Sequence, residues 1–276
     1  MTTSLPSIAI IGAGAMGGAI LTGLLDPSVR VSGGIRVTNR TAAKAALVAA
    51  DGVESLALES EPDGNQRAVR NAGIVLLGVK PAMIIDTLRE LAPALEPDAV
   101  VISVAAGITT AAMEAVVANP VLRAMPNTPA IVGKAVTGIA AGSRATPEQV
   151  AQGVALFGTV GTVLEVPEAQ IDALSTISGS GPAYVFYLIE EFTKTAVRLG
   201  FTPEQAKTLV QGTFAGSVDL LLASGREPEA LRAQVTSPKG TTERAIDVLQ
   251  GADLSSLFDR AAAAAMARAR ELSAGA

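Results

Sequence analysis

The chain contains no cysteine and no histidine. Without cysteine there is no disulfide, no thiolate nucleophile and no iron–sulfur ligation. Without either residue a zinc site lacks its usual ligands, so no metal centre is expected. A Ser-His-Asp triad is impossible, and so is any imidazole acid or base. Charged residues are only 17% of the chain. Chemistry therefore has to rest on a bound cofactor, backbone amides, hydroxyls or those few charges.

Basic charge is also short: Lys and Arg number 21 against 26 Asp and Glu, a net charge of −5. A nucleic-acid surface needs a basic stripe to release counterions, and none is present. Long apolar runs are missing as well. The longest, Ala99 to Met113, is broken by Gly107, Thr109 and Thr110 and closed by Glu114, short of the ~18 residues that span a bilayer. The first arginine is Arg30, and Ile8–Ile11 is too short for the core of a secretion signal. The expectation is a soluble, cytoplasmic protein with no membrane or nucleic-acid partner.

What remains is abundant aliphatic material. Apolar residues make up 49% and aromatics 3%, so the core is built from Ala, Val, Leu and Ile. A length of 276 residues suits two domains. Short apolar runs at Ser7–Ile11, Ile35–Thr38, Ile74–Val79, Ala99–Val104, Val121–Ala124 and Ala135–Ala140 read as buried strands. Helical stretches lie between them at Ala15–Leu25, Ala42–Ala50 and Met83–Leu91. This alternation predicts a parallel, doubly wound α/β domain over residues 1–166. From Pro167 the pattern turns helical, with long helices expected at Gly181–Leu199, Pro203–Ala223 and Leu254–Leu272. Residues 167–276 are thus expected to form an all-helical domain. The helix from Pro182 carries apolar residues around most of its circumference, which demands burial on several sides and points to self-association.

The first strand runs into Gly12-Ala13-Gly14-Ala15-Met16-Gly17, a G-x-G-x-x-G turn opening a helix. Gly12 permits the tight turn, Gly14 admits a pyrophosphate against the backbone, and Gly17 lets helix and strand pack closely. The helix N-terminus then presents free amides to the phosphates. The second strand ends in Thr38-Asn39-Arg40-Thr41 with no carboxylate. An NAD site usually places Asp or Glu there for the ribose 2′-hydroxyl, whereas Asn and Arg suit a 2′-phosphate. NADPH is the expected cofactor, with NADH used less readily. Gly78-Val79-Lys80-Pro81, Ser103-Val104-Ala105-Ala106-Gly107 and Met125-Pro126-Asn127-Thr128-Pro129 end further strands, at the sheet edge where ligands of this fold bind. Lys80 reads equally well as an ordinary loop charge.

In the helical half, Ser180 or Gly181 is expected to cap the helix that continues through Pro182. Val235-Thr236-Ser237-Pro238-Lys239-Gly240-Thr241-Thr242-Glu243 makes a tight loop before another helix. Its amides and hydroxyls suit a small carboxylate. The same residues read as a capping motif, with Thr241 or Thr242 as N-cap and Glu243 in the first turn.

Six stretches, IIGAGAMG at Ile10–Gly17, GVKP at Gly78–Pro81, SVAAG at Ser103–Gly107, MPNTP at Met125–Pro129, SGSGPAY at Ser178–Tyr184 and VTSPKGTT at Val235–Thr242, resemble the pyrroline-5-carboxylate reductases over essentially the whole chain. The family usually has glycine where Lys239 stands. The resemblance implies reduction of 1-pyrroline-5-carboxylate to proline by hydride transfer from NADPH to the cyclic imine. It implies cofactor contacts from Gly12, Ala13, Gly14, Ala15, Met16, Gly17, Asn39, Arg40, Asn65, Val79, Lys80, Pro81, Ala105, Ala106, Gly107 and Asn127. Ser237, Gly240, Thr241 and Thr242 would hold the substrate carboxylate, and Thr242 would also bond the ring nitrogen as the catalytic group. An intertwined dimer, often assembled further into a decamer, is implied too. Such a reaction needs no imidazole, because the imine is basic enough to arrive protonated, and alignment alone supplies ~7–11 kcal/mol.

Three rival readings fit the residues less well. A β-hydroxy-acid dehydrogenase carries G-x-G-x-x-x-K, but Val185 stands at the Lys position counted from Gly179; a short-chain dehydrogenase needs Tyr-x-x-x-Lys, but Leu188 and Glu191 follow Tyr184 and Tyr187. A non-catalytic NADP-binding redox sensor has no need of the second anion loop. Lys239 is expected to adopt an ordinary negative φ and to point its ammonium to solvent.

Overall fold

The computed structural model describes residues 3–274. They fall into two compact units: one runs through Ser180 and takes in the end of the last helix from Ala265, and the other is Gly181–Ala264. The elements of the first unit, in chain order, are β1 (Thr3–Leu5), β2 (Ile8–Ile11), α1 (Ala15–Leu24), β3 (Val29–Val31), β4 (Ile35–Asn39), α2 (Ala42–Ala46), β5 (Val53–Ala57), α3 (Gly64–Val69), β6 (Ile74–Leu77), α4 (Ile84–Leu91), β7 (Val100–Ser103), α5 (Thr110–Glu114), β8 (Val121–Met125), β9 (Ala135–Ala141), α6 (Pro147–Gly158), β10 (Gly161–Glu165) and α7 (Ile171–Leu174).

Eight strands form one sheet in the order β10-β9-β8-β7-β6-β2-β4-β5. Every neighbouring pair is parallel except β8 with β9. The expected all-parallel sheet is corrected at that one pair, where a short 3₁₀ turn over Thr128–Val132 ending at Gly133 (φ 69°) lets the chain double back without a crossover helix. The strands β2, β6, β7 and β8 are buried at every position, as expected of a sheet covered on both faces. One face packs Ile8, Ile10, Leu76 and Ile102 against α1 and α6; the other packs Ala9, Ile11, Val75 and Leu77 against α3 and α4.

The expected long helices are present as α8 (Gly181–Arg198), α9 (Pro203–Ser224) and α12 (Leu254–Ala274), joined by two shorter ones, α10 (Pro228–Gln234) and α11 (Thr241–Gly251). The side chain of Leu272, in the last of these, lies outside the described residues. One local expectation is corrected. The Ser178–Gly181 segment is not a capped helix start: α7 continues through a π-turn at Ser175–Gly179, with the Ser180 amide bonded to the Ser175 carbonyl, and α8 follows at Gly181.

Within Gly181–Ala264 the buried apolar side chains are only Ala196, Ala206 and Val210, backed by Ile189 and Phe214. Phe186, Tyr187, Phe192, Leu220, Leu222 and Val248 are all more than half exposed. A helical unit with so small a core cannot offset its chain entropy alone. Apolar exposure on this scale marks an association surface. Among the described residues no helix is long and apolar enough to cross a membrane.

Candidate dinucleotide groove and anion loop

The turn after β2 is built by glycines at two tight contacts. Gly12 has φ 83°, and a Cβ there would lie 2.8 Å from Val79 Cγ1. At Gly17 a Cβ would sit 3.2 Å from Ile10 Cγ2, so α1 lies directly on β2. The amides of Gly12 and Ala13 both donate to the Thr38 carbonyl, at 3.1 and 3.2 Å, tying the turn to β4. Gly14 differs: nothing lies within 4 Å of where its Cβ would stand. As N-cap of α1 it brings no side-chain acceptor, so the amides of the first turn have no internal cap.

A groove of about 840 Å³ opens over this turn. Of the expected cofactor residues, Gly12, Ala13, Gly14, Ala15, Asn39, Arg40, Asn65, Val79 and Lys80 line it. Met16, Gly17, Pro81, Ala105, Ala106, Gly107 and Asn127 do not line it. Met16 and Gly17 lie within α1; Pro81 starts the 3₁₀ turn that leads into α4. Asn127 is tied to the protein at each end of its side chain. It is buried, its Nδ2 donates to the Ser178 carbonyl at 2.9 Å, and its Oδ1 accepts from the Val136 amide at 2.9 Å. Each end of its amide thus has one protein partner.

Sequence reasoning missed Lys44, Leu58, Met83, Thr87 and Glu90, which also line the groove. Lys44 had a signal, one helical turn beyond Arg40 at the start of α2. Neither Arg40 nor Lys44 makes an ion pair among the described residues. Two unpaired cations thus face one end of the groove. In the same lining Asn39 is 4% exposed, and its Nδ2 has no partner; Asn65 is 8% exposed, and its Oδ1 has none. Unpaired buried polar atoms are rare in folded proteins and ask for a ligand or ordered water. An open Gly14, uncapped amides, free cations and orphaned amides together fit a phosphorylated dinucleotide.

Elsewhere in the same unit β8 carries Arg123, whose side chain is 3% exposed. It pairs with Asp172 of α7 at 2.6 Å and lies 3.8 Å from Glu168. Glu168 in turn accepts from the Thr110 amide and hydroxyl at 2.7 and 2.6 Å. The cluster fixes α5 and α7 to the strand that leads into Met125–Pro129.

In the helical unit, Val235–Thr242 forms a tight turn closed by the Gly240 amide on the Ser237 carbonyl at 3.0 Å. Gly240, not Thr241 or Thr242, is the N-cap of α11, and it provides no side-chain cap. Glu243 reaches back to accept from the Lys239 amide at 2.7 Å. The Gly240 amide closes the turn, and the missing side chain matters too, since a Cβ there would lie 2.9 Å from the Ser237 carbonyl oxygen. The hydroxyls of Ser237, Thr241 and Thr242 have no protein partner among the described residues, and Thr242 is exposed.

The expectation for Lys239 fails in one respect. Its φ is 62°, in the left-handed region. The reason is the turn itself: with Pro238 second, a turn closed from Ser237 to Gly240 puts its left-handed residue third. The side chain is exposed and unpaired, as expected. A left-handed non-glycine residue costs roughly 1–2 kcal/mol, partly offset because glycine loses more chain entropy on folding. Lys239→Gly should thus raise stability by about 0.5–1 kcal/mol in urea unfolding. A loss of stability would show that the lysine stem contributes packing that outweighs the strain.

Comparison with known proteins agrees with this architecture. Residues 168–272 match the family model described as pyrroline-5-carboxylate reductase dimerisation, and residues 7–107 match one described as NADP oxidoreductase coenzyme F420-dependent. A pyrroline-5-carboxylate reductase of Corynebacterium melassecola is 39% identical over 96% of this chain and 98% of its own. One from Pseudomonas aeruginosa is 38% identical over 98% and 97%. The solved structure of a pyrroline-5-carboxylate reductase from Coxiella burnetii superposes with a TM-score of 0.87 at 37% identity, covering 96% of this chain and 98% of that one. With relatives this similar along nearly its whole length, and with the dinucleotide groove and anion loop in the expected segments, the chain belongs to the pyrroline-5-carboxylate reductase family.

Proposed function

We propose that this protein reduces 1-pyrroline-5-carboxylate to proline with NADPH. The observation that carries the cofactor half is the groove over Gly14 with Arg40 and Lys44 unpaired at its end. The names of the relatives and the dimerisation match carry the substrate half. When bound, NADPH supplies the hydride that reduces the imine carbon.

The chain's own residues do the rest. The α1 amides and Gly14 hold the pyrophosphate, and Asn39, Arg40 and Asn65 take the adenosine end. The backbone of Val79–Pro81 and Ala105–Gly107 lines the path toward the nicotinamide. Ser237, Thr241 and Thr242 hold the substrate carboxylate by hydroxyls and first-turn amides of α11. The Thr242 hydroxyl meets the ring nitrogen, accepting from its N–H while the imine is protonated. The reading includes a homodimer through residues 167–276, assembly of dimers into a decamer, a cytoplasmic location, and no nucleic-acid or membrane partner.

The direct test is NADPH oxidation with pyrroline-5-carboxylate, run beside homologous cyclic imines. No turnover with any of them would end the proposal. Two variants test the residue roles. Arg40→Ala should weaken NADPH tenfold or more and NADH little, because a charge-assisted bond is worth ~1.5–3 kcal/mol; equal losses for both would remove Arg40 from the phosphate site. Thr242→Val should lower kcat by roughly tenfold or more while Kd for NADPH stays put. An unchanged kcat would move proton handling to water.

A further inference from the structure

Glu90 is out of place in a groove meant for a polyanion. It lines that groove and makes no ion pair among the described residues. Its one side-chain partner is Asn65, whose Nδ2 donates to Oε1 at 3.3 Å. A carboxylate can only accept, so this bond settles which way the Asn65 amide faces. The Asn65 Oδ1 is then left as a second acceptor, buried and without a partner. Glu90 thus holds spare acceptors beside the buried Asn65 Oδ1, and its own carboxylate offers a ligand no donor.

The surroundings say what would approach them. Met83, Thr87 and Glu90 follow one another at helical spacing along the start and body of α4, and all three line the groove with Leu58 of the loop after β5. Met83 is 51% exposed. Leu58 and Met83 offer apolar contact to a flat ring, and Glu90 with Asn65 supplies the polar end. The donor on the adenosine part of NADPH that carries two hydrogens is the exocyclic amine of adenine. A 2′-phosphate offers only acceptors and would be repelled by Glu90; it belongs at Arg40 and Lys44.

We infer that Glu90, braced by Asn65, recognises the adenine ring of the cofactor by its amino group and sets base specificity. This rests on the NADPH reading of the groove. It predicts discrimination against a base with an oxo group at the same carbon, since that acceptor would face two others.

The test is a binding titration without imine, comparing NADPH with the reduced nicotinamide hypoxanthine dinucleotide phosphate, on the unaltered protein and on Glu90→Gln. Glutamine keeps an acceptor for Asn65 and adds a donor that an oxo group can use. The unaltered protein should bind NADPH at least tenfold more tightly than the hypoxanthine analogue. In Glu90→Gln the ratio should shrink to threefold or less, through weaker NADPH and equal or tighter analogue binding. Equal affinity of the unaltered protein for both, an unchanged ratio in Glu90→Gln, or the same loss for both ligands overturns the inference and leaves the NADPH reading standing. No NADPH binding by the unaltered protein would overturn both.

Discussion

Replacing Gly14 with valine is expected to abolish NADPH binding while the protein stays folded. The backbone there is ordinary, φ −71° and ψ −160°, so a side chain brings no left-handed strain. Nothing of the protein lies within 4 Å of the new Cβ. Loss of a favourable N-cap costs only about 1 kcal/mol. The valine would stand where the pyrophosphate meets the backbone, and a loss of roughly 100-fold or more, about 3 kcal/mol, is expected in a fluorescence titration. Gly12→Ala provides the contrast. At φ 83°, with Val79 2.8 Å from the added carbon, it should lower the melting temperature as well as the affinity. Near-native NADPH affinity in Gly14→Val would show that no ligand passes over this turn.

The second large effect concerns the buried guanidinium of Arg123. Its two acidic neighbours are unequal to it in burial: the arginine side chain is 3% exposed, whereas Glu168 and Asp172 are 27% and 32%. Removing Asp172 leaves a buried cation with one distant carboxylate. Removing Arg123 leaves two carboxylates that water can reach. Asp172→Ala should therefore cost about 3–5 kcal/mol, and Arg123→Met should cost clearly less. Urea unfolding of both variants decides it, with cofactor affinity followed in parallel. Equal costs would mean that shape, not charge, is what the cluster supplies.

Much of this was legible in the sequence, for reasons that differ between segments. The buried strands at Ile8–Ile11 and Ile74–Leu77 stand out because continuous aliphatic runs end at glycine. The helix at Pro203 is bounded by Thr202 and Gln205, which form a reciprocal cap. The same Thr-Pro-Glu-Gln run at Thr146–Gln149 caps α6, yet that helix was not expected, because its apolar face is diluted by glycine and alanine. The edge strand β5 was missed since Glu54 and Ser55 interrupt it and only β4 pairs with it. The π-turn at Ser175–Gly179 has no local signature. Asn127, 51 residues away in sequence, holds the Ser178 carbonyl and stabilises it.

The site shows the same division. Glycines of the turn announce themselves, because backbone shape restricts residue type. Glu90, Thr87 and Lys44 do not, since their roles depend on which helix face meets which strand end. Lys239 was misjudged although Pro238 and Gly240 flank it. The turn type, not the substrate, decides its backbone.

The groove is also drawn from a short stretch of chain: every residue that lines it falls between Ile11 and Glu90. Its central strand β2 finds β4 and then β6 within that stretch. During synthesis at ~5–20 residues per second, roughly 9–35 s separate the emergence of Glu90 from that of Ala264. The nascent chain therefore carries every groove-lining residue well before the association surface exists.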